Sequence, residues 1–140
     1  MDVSITGFFS HFPNARELWL NANWIHGHFE NFDAISSEYL PDLELLEIDY
    51  NYFTGSVALS NGHSLSSSLE EFEIDSNQFS GTVQWDIFKG LYNLQEVDME
   101  DNFLNGSIDW NIIADLVING SLTELFLANN SFVGMFAFDI

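Results

Sequence analysis

The segment from Leu69 to Val83 spaces its apolar residues in a way that fits neither a helix nor a simple alternation over its whole length. In its first half, Phe72 and Ile74 alternate with acidic residues, which are Glu71, Glu73 and Asp75. Because successive side chains of a strand point to opposite faces, we predict a short strand with its apolar residues inward and its acids outward. An asparagine and then a glycine follow, and they predict a sharp turn at the end of this strand.

The same spacing recurs at intervals of 25 to 28 residues and defines five units. Each unit is anchored by an asparagine, and the anchors are Asn23, Asn51, Asn77, Asn102 and Asn130. A glycine stands four residues after each anchor and an apolar residue six after it, and further apolar positions lie three, five and eight before it. One such unit cannot bury its apolar stripe alone, whereas stacked units bury a continuous core. We therefore predict a stack of units whose strands pair in parallel.

This pattern, LxxLxLxxNxFxGx(I/V), resembles the leucine-rich repeat family and is closest to its plant-type subclass. The resemblance implies an α/β fold, a leucine-rich-repeat solenoid with a curved parallel β-sheet on the concave face and short helices or loops on the convex face. It also implies a ladder in which the five anchor asparagines hydrogen-bond the backbone of the turn. We expect residues 1–140 to form a single solenoid, with a partial unit over residues 1–12, that is part of a longer array.

The segments between the predicted strands differ from one another. Short helices are predicted over residues 31–38, 85–91 and 110–118, and a loop is predicted over residues 59–68. The helix over 110–118 has the clearest apolar periodicity, and Asn119 and Gly120 are expected to end it.

Both ends of the chain carry apolar residues that fit the repeat. Ile5 and Phe9 occupy two of its columns, and the first twelve residues lack the polar character of a terminal cap. Near the other end, Phe136 and Phe138 are left without a unit to cover them. We expect the ends to stack on further repeats or on neighbouring subunits.

The charge of the chain is strongly negative, with 22 acidic residues against two basic ones, Arg16 and Lys89, for a net charge of −20. Nucleic acid and anionic membrane surfaces are therefore disfavoured as partners. No apolar run is long enough for a transmembrane helix, and the first residues do not resemble a basic leader with an apolar core. The absence of cysteine excludes disulfides, thiolate metal sites and a cysteine nucleophile.

About half of the acidic residues fall at positions that project from the predicted strands. The resulting candidate partner-binding residues are Trp19, Glu47, Asp49, Tyr50, Glu71, Glu73, Asp75, Glu96, Asp98, Glu100 and Asp101. Stacking acids on acids across strands is destabilising by roughly 0.2–1 kcal/mol a pair, which favours a cationic partner over a merely solvated surface. We therefore predict a protein-binding module that docks a basic protein or peptide segment.

Two alternatives remain open at this point. In the first alternative, the chain is an element of a larger, extracellular or cell-surface assembly in which its ends stack on neighbours. In the other alternative, Ca²⁺ mediates association through the columns of carboxylates, since oxygen ligands suit this hard cation.

An enzyme is not predicted, because no nucleophile–base pattern or phosphate-binding loop is present. His26 and His28 lack a third ligand, so no metal site is assigned. The paired carboxylates lie on an open sheet, where we expect no enclosed pocket to separate their pKa values.

Three Asn-x-Ser sequons make Asn105, Asn119 and Asn129 candidate glycosylation sites. The first two are predicted in turns. Asn129 is predicted on the concave edge, where a glycan would block part of the face.

Overall fold

The computed structural model describes residues 5–134, and within that range the chain coils through two parallel five-stranded sheets. The strands are β1 (Glu17–Trp19), β2 (His26–Phe29), β3 (Leu45–Glu47), β4 (Tyr52–Gly55), β5 (Glu71–Glu73), β6 (Gln78–Thr82), β7 (Glu96–Asp98), β8 (Phe103–Ser107), β9 (Glu124–Phe126) and β10 (Ser131–Val133). The odd-numbered strands form the concave sheet in the order β1-β3-β5-β7-β9, and the even-numbered strands form the second sheet in the order β10-β8-β6-β4-β2.

The concave sheet has the register that the repeat predicts. Phe72 on β5 pairs with Leu46 on β3 and with Val97 on β7, and all three side chains are buried. The acidic residues on either side of Phe72 face the other side of the sheet and are only half-buried. The predicted parallel sheet and its inward apolar column are therefore confirmed.

Aromatic rings fill the space between the sheets and the convex segments. The ring centroid of Phe72 lies 5.1 Å from that of Phe88 and 5.8 Å from that of Phe32. The ring centroids of Phe32 and Phe79 lie 5.3 Å apart. These four side chains are fully buried. Because Phe32 contacts two rings of a later unit, Phe72 and Phe79, the core continues from one unit to the next.

The convex segments follow the predicted helices closely. 3₁₀-helices occupy Asp33–Ile35 and Trp85–Phe88, and an α-helix, called α2 below, spans Trp110–Ile118. Asp109 caps α2 by accepting hydrogen bonds from the backbone N–H groups of Asn111 and Ile112. Residues 59–68 contain no helix or strand, as predicted.

The second sheet was not predicted from the sequence. Its strands begin one to three residues after each anchor asparagine, at positions that the pattern assigned only to a turn. In β4, for example, Phe53 and Gly55 are buried while Tyr52 and Thr54 are half-buried. A segment this short carries too few alternations to be distinguished from a turn.

The N-terminal segment differs from the partial unit expected over residues 1–12. Ile5–Phe9 forms a short α-helix, α1, in place of a repeat strand. This helix packs against the 3₁₀-helix at Asp33–Ile35 and against β2, and the side chain of Phe9 is buried. The physical reason is that Val3 stands where the repeat has its asparagine, so the turn lacks the amide that would hold it.

At the opposite end, an open apolar hollow of about 860 Å³ is lined by residues of α2, β9 and β10. Val117, Ile118 and Val133 are exposed there or beside it. Phe136 and Phe138, expected to lie uncovered at this end, are outside the described residues, and so is the side chain of Ile5. Within the described residues, neither α1 nor α2 has the length and hydrophobicity of a membrane-spanning helix.

Candidate functional site

The anchor asparagines tie the end of each concave strand to the preceding unit. Asn77 Nδ2 donates to the carbonyl oxygens of Ile48 at 2.9 Å, Ile74 at 3.2 Å and Asp75 at 3.1 Å. Its Oδ1 accepts a hydrogen bond from the backbone N–H of Phe53 at 3.0 Å. Equivalent bonds are made by Asn51, Asn102 and Asn130. The side chain of Asn23, the first anchor, donates to the carbonyl oxygens of Leu20 and Asn21 in its own unit, and its backbone N–H donates to Asn51 Oδ1.

The residue before each anchor adopts a left-handed backbone conformation. The φ angles are 54° at Ala22, 49° at Tyr50, 52° at Ser76, 51° at Asp101 and 55° at Asn129. This conformation is costly for residues with a side chain, by roughly 1–2 kcal/mol each. Sequence reasoning missed this column, because only the Asp and the Asn among its members are residue types enriched in that conformation.

The carboxylates of the concave face form columns across the strands. Glu73 pairs with Glu47 on one side and with Asp98 on the other. A parallel column contains Glu71, Glu96 and Glu124. A third contains Asp49, Asp75 and Glu100, because the backbone ladder continues past the strand ends: Tyr50 N–H donates to the Asp75 carbonyl at 3.2 Å, and Ser76 N–H donates to the Glu100 carbonyl at 3.0 Å.

Three of these carboxylates converge. Glu47, Asp49 and Glu73 each present an oxygen within 4.8 Å of the other two. Glu47 and Asp49 are each only 8% exposed, whereas Glu73 is half-buried. Asp49 Oδ1 is buried and has no hydrogen-bond partner among the described residues. We call these three residues the carboxylate cluster.

Burial disfavours the charged form of these groups and raises their pKa values. It raises the pKa of Glu73 to about 7, with the charges of Glu47 and Glu96 adding to the shift. It also raises the pKa of Asp98 to about 6, although a hydrogen bond from the Glu100 amide opposes the shift. Burial raises the pKa in the same way at Glu47, Asp49, Asp75 and Glu96.

The expectation that an open sheet would leave the pKa values unseparated was therefore wrong. The inner carboxylates are half-buried or buried on the concave sheet, so they lose water that a flat surface would supply. Asp101, in the turn between β7 and β8, is by contrast exposed.

Exposed aromatic residues border the acidic columns. In the register of the concave sheet, Trp19 precedes Glu47 and Phe126 follows Asp98, so an aromatic side chain stands at each end of that row. Trp19 is 57% exposed, and its indole N–H donates to Glu17 at 2.9 Å. Tyr50 is 63% exposed and follows Asp49. Phe126 was not among the predicted binding residues; its place in the row becomes visible only once the register is known.

The two basic residues lie outside these columns. Arg16 forms an ion pair with Glu44, and both precede their concave strands. Lys89 is exposed and follows the 3₁₀-helix on the convex side. The negative charge of the concave columns is therefore not neutralised by lysine or arginine within residues 5–134.

The remaining candidate residues are dispersed. Asn105 is exposed but lies within β8, which corrects its predicted place in a turn. Asn119 follows α2, and its side chain donates to Asp115 at 2.7 Å. Asn129, on the concave edge, donates to Asp101 at 2.8 Å.

The two histidines of β2 are both exposed and engage other side chains. His26 stacks on Tyr52 with ring centroids 4.7 Å apart. His28 Nδ1 lies 2.9 Å from the hydroxyl oxygen of Thr54. Neither belongs to a group of three metal-ligating side chains in the described part of the chain.

Solved structures similar to this chain include a plant peptide hormone receptor and the ectodomain of a plant receptor kinase. A plant peptide hormone receptor, RGFR1 in complex with RGF2, matches with a TM-score of 0.69 and 28% identity over 89% of this chain and 18% of the receptor chain. A second match is the leucine-rich-repeat ectodomain of the Arabidopsis thaliana receptor kinase GASSHO1/SCHENGEN3, in complex with CASPARIAN STRIP INTEGRITY FACTOR 2. Its TM-score is 0.69 and its identity 22%, over 84% of this chain and 13% of the receptor chain.

A third structure, the BIR3–SERK2 complex from Arabidopsis thaliana, matches with a TM-score of 0.64 and 21% identity over 84% of this chain and 57% of that chain. The chain thus spans less than a fifth of the first two proteins. No protein-family model matches the sequence, and no curated protein sequence is significantly similar to it. The repeat pattern, the two parallel sheets and these structural neighbours lead to one conclusion: the chain folds as a leucine-rich-repeat solenoid, with repeats of the plant type.

Proposed function

We propose that this chain is a non-catalytic protein-binding module whose acidic concave face docks a basic segment of a protein or peptide. The observation that carries the proposal is the set of carboxylate columns on β3, β5 and β7, which no lysine or arginine of residues 5–134 neutralises. The similar plant receptors support the general class, since two of them are in complex with a named factor or hormone.

The spacing of the columns suits basic side chains. Adjacent strands lie about 4.8 Å apart, so neighbouring carboxylates are closer than the Debye length of about 8 Å at physiological salt and their fields add. An arginine placed between two columns would meet two carboxylates with its planar guanidinium. The attraction between these charges would mainly raise the association rate.

The aromatic residues bordering the columns supply the other part of the contact. Trp19 and Tyr50 offer exposed rings on which a guanidinium or an apolar side chain can stack. Phe126 offers a third ring at the far end of the row. A segment that is basic at its centre and has apolar groups beside the charges fits this arrangement.

Binding of a short arginine-rich peptide, measured by calorimetry in the presence of EDTA, tests the proposal. The variant Glu73→Gln/Asp75→Asn/Asp98→Asn should weaken binding about tenfold, since three lost charge pairs at roughly 0.2–1 kcal/mol each bracket the about 1.4 kcal/mol of a tenfold change. The matched control, Glu30→Gln/Asp42→Asn/Asp86→Asn, removes the same charge from exposed positions elsewhere. If both triple variants bind equally, only net charge matters and the concave face is not the docking site.

We also propose that the five repeats of this chain are part of a longer array or assembly, in which the C-terminal end of the stack packs against a further unit. The apolar hollow lined by α2, β9 and β10 favours this candidate, because a buried interface would remove its surface from water. Sedimentation velocity of the chain at high concentration and at physiological or higher salt tests this candidate.

A further inference from the structure

We infer that the carboxylate cluster, Glu47, Asp49 and Glu73, is a binding site for one calcium ion. This inference does not depend on the docking of a basic segment. It rests on the convergence of three acidic side chains and on the state of Asp49, which is only 8% exposed and has an unpartnered oxygen.

The separation of the oxygens fits calcium. Calcium–oxygen distances are about 2.3–2.6 Å, so ligand oxygens on opposite sides of the ion lie up to about 5 Å apart. One oxygen from each residue of the cluster lies within 4.8 Å of the others, which meets this limit. Magnesium requires near-octahedral geometry at about 2.0–2.1 Å and gives up its water reluctantly, so a site built from three protein carboxylates suits calcium better.

The unpartnered oxygen of Asp49 favours binding of a cation at the cluster. A buried carboxylate oxygen without a donor costs free energy, and the neighbouring carboxylates in the cluster supply no proton donor while ionised. A cation between Glu47, Asp49 and Glu73 would relieve the repulsion among the three carboxylates and give the Asp49 carboxylate a partner. Water would supply the rest of the six to eight oxygens that calcium takes, and it can reach the cluster because Glu73 is only half-buried.

The backbone holds the ligands in place. Glu47 and Glu73 occupy paired positions of β3 and β5, and the Asp49 carbonyl accepts a hydrogen bond from Asn51 Nδ2 at 3.0 Å. The ion is favoured over a lysine of a partner, because the two most buried carboxylates are more accessible to a bare cation than to a side chain.

Calorimetric titration of the full chain with CaCl₂ alone, in chelator-treated buffer, tests the site. We expect one ion per chain with a Kd of about 10⁻⁴–10⁻³ M, as in extracellular calcium modules, and binding of MgCl₂ at least about tenfold weaker. Asp49→Asn keeps the shape of the side chain but removes its charge, and it should weaken calcium binding at least about tenfold.

The matched control is Glu100→Gln, which neutralises an acid in the same column as Asp49 but outside the cluster. It should change calcium affinity by less than about threefold, the effect of diffuse screening. Glu73→Gln provides a second ligand variant, and circular dichroism confirms that each variant is folded. The site would be overturned if the wild-type chain showed no saturable heat on titration with CaCl₂. Equal losses of calcium affinity in Asp49→Asn and Glu100→Gln would overturn it as well. A failure of the peptide to bind would not affect this inference.

Discussion

Glu73 is the residue at which the acidic surface and the stability of the fold are most closely linked. It lies at the centre of the concave sheet, between Glu47 and Asp98, and it is half-buried. Burial first, and then the neighbouring charges, raise its pKa from 4.5 to about 7. The folded chain therefore binds a proton at this residue more tightly than the unfolded chain does.

This shift predicts a fold that is more stable in mild acid than at alkaline pH. A raised pKa contributes stability that is fully present below the unfolded value of 4.5 and is lost as pH rises through about 7. In calcium-free buffer, the melting temperature should fall by a few degrees between pH 5.5 and pH 8, measured by circular dichroism.

The variant Glu73→Gln separates this residue from the rest of the charge. It should raise the melting temperature at pH 8 and flatten its dependence on pH, because the amide does not ionise. Glu30→Gln, at an exposed position after β2, is the control and should leave the slope unchanged. A slope that is the same in wild type and Glu73→Gln would show that this carboxylate does not set the pH dependence.

The spacing of single residues in the sequence was enough to assign the acids to columns, because a strand alternates its faces regularly. It was not enough to predict their depth. Glu47 and Asp49 are almost as buried as the core, and this depends on how adjacent strands cover them. The left-handed backbone conformation of Tyr50 could not be predicted from the sequence either, because aromatic residues are not enriched in that conformation.

At the scale of elements, the anchor asparagines join the two sheets. Asn77 lies between β5 and β6, and its side chain bonds backbone groups of its own unit and of the preceding one. These backbone groups are buried and would otherwise lack a partner in the turn. The turn that ends β5 is thereby held to the unit before it.

Asn77→Ala should therefore destabilise the fold more than Gln78→Ala, at the exposed next position. The expected loss is about 1–3 kcal/mol in the free energy of unfolding, since several buried backbone groups lose their partner. Urea denaturation followed by circular dichroism measures both variants. Small and equal losses would contradict the role given to the asparagine.

The elements that the sequence predicted best are those with a long or repeated pattern. Helix α2 has the predicted bounds, because nine residues carry enough apolar periodicity to define it. The second sheet escaped prediction because its strands are short and follow a turn signal. Helix α1 escaped because Ile5 and Phe9 match the apolar columns, whereas folding depends on the anchor asparagine that this segment lacks.

At the scale of the whole molecule, charge and apolar surface oppose each other. A net charge of −20 keeps copies of the chain apart over long distances, and salt weakens that repulsion. The C-terminal hollow, with Val133 exposed at its rim, favours contact over short distances. Association of the chain should therefore increase with salt, which is opposite to the behaviour expected for docking of a basic peptide.

We expect the 140-residue chain to self-associate in sedimentation velocity experiments at high concentration and physiological or higher salt. Val133→Glu should reduce this association, because it places a charge on the apolar end. Phe103→Glu is the matched control: it adds the same charge at an exposed apolar residue of β8, one strand in from β10 and outside the residues that line the hollow. A wild-type chain that sediments as a monomer under all these conditions would rule out stacking through the C-terminal end. Equal effects of the two substitutions would show that added charge, and not the hollow, controls association.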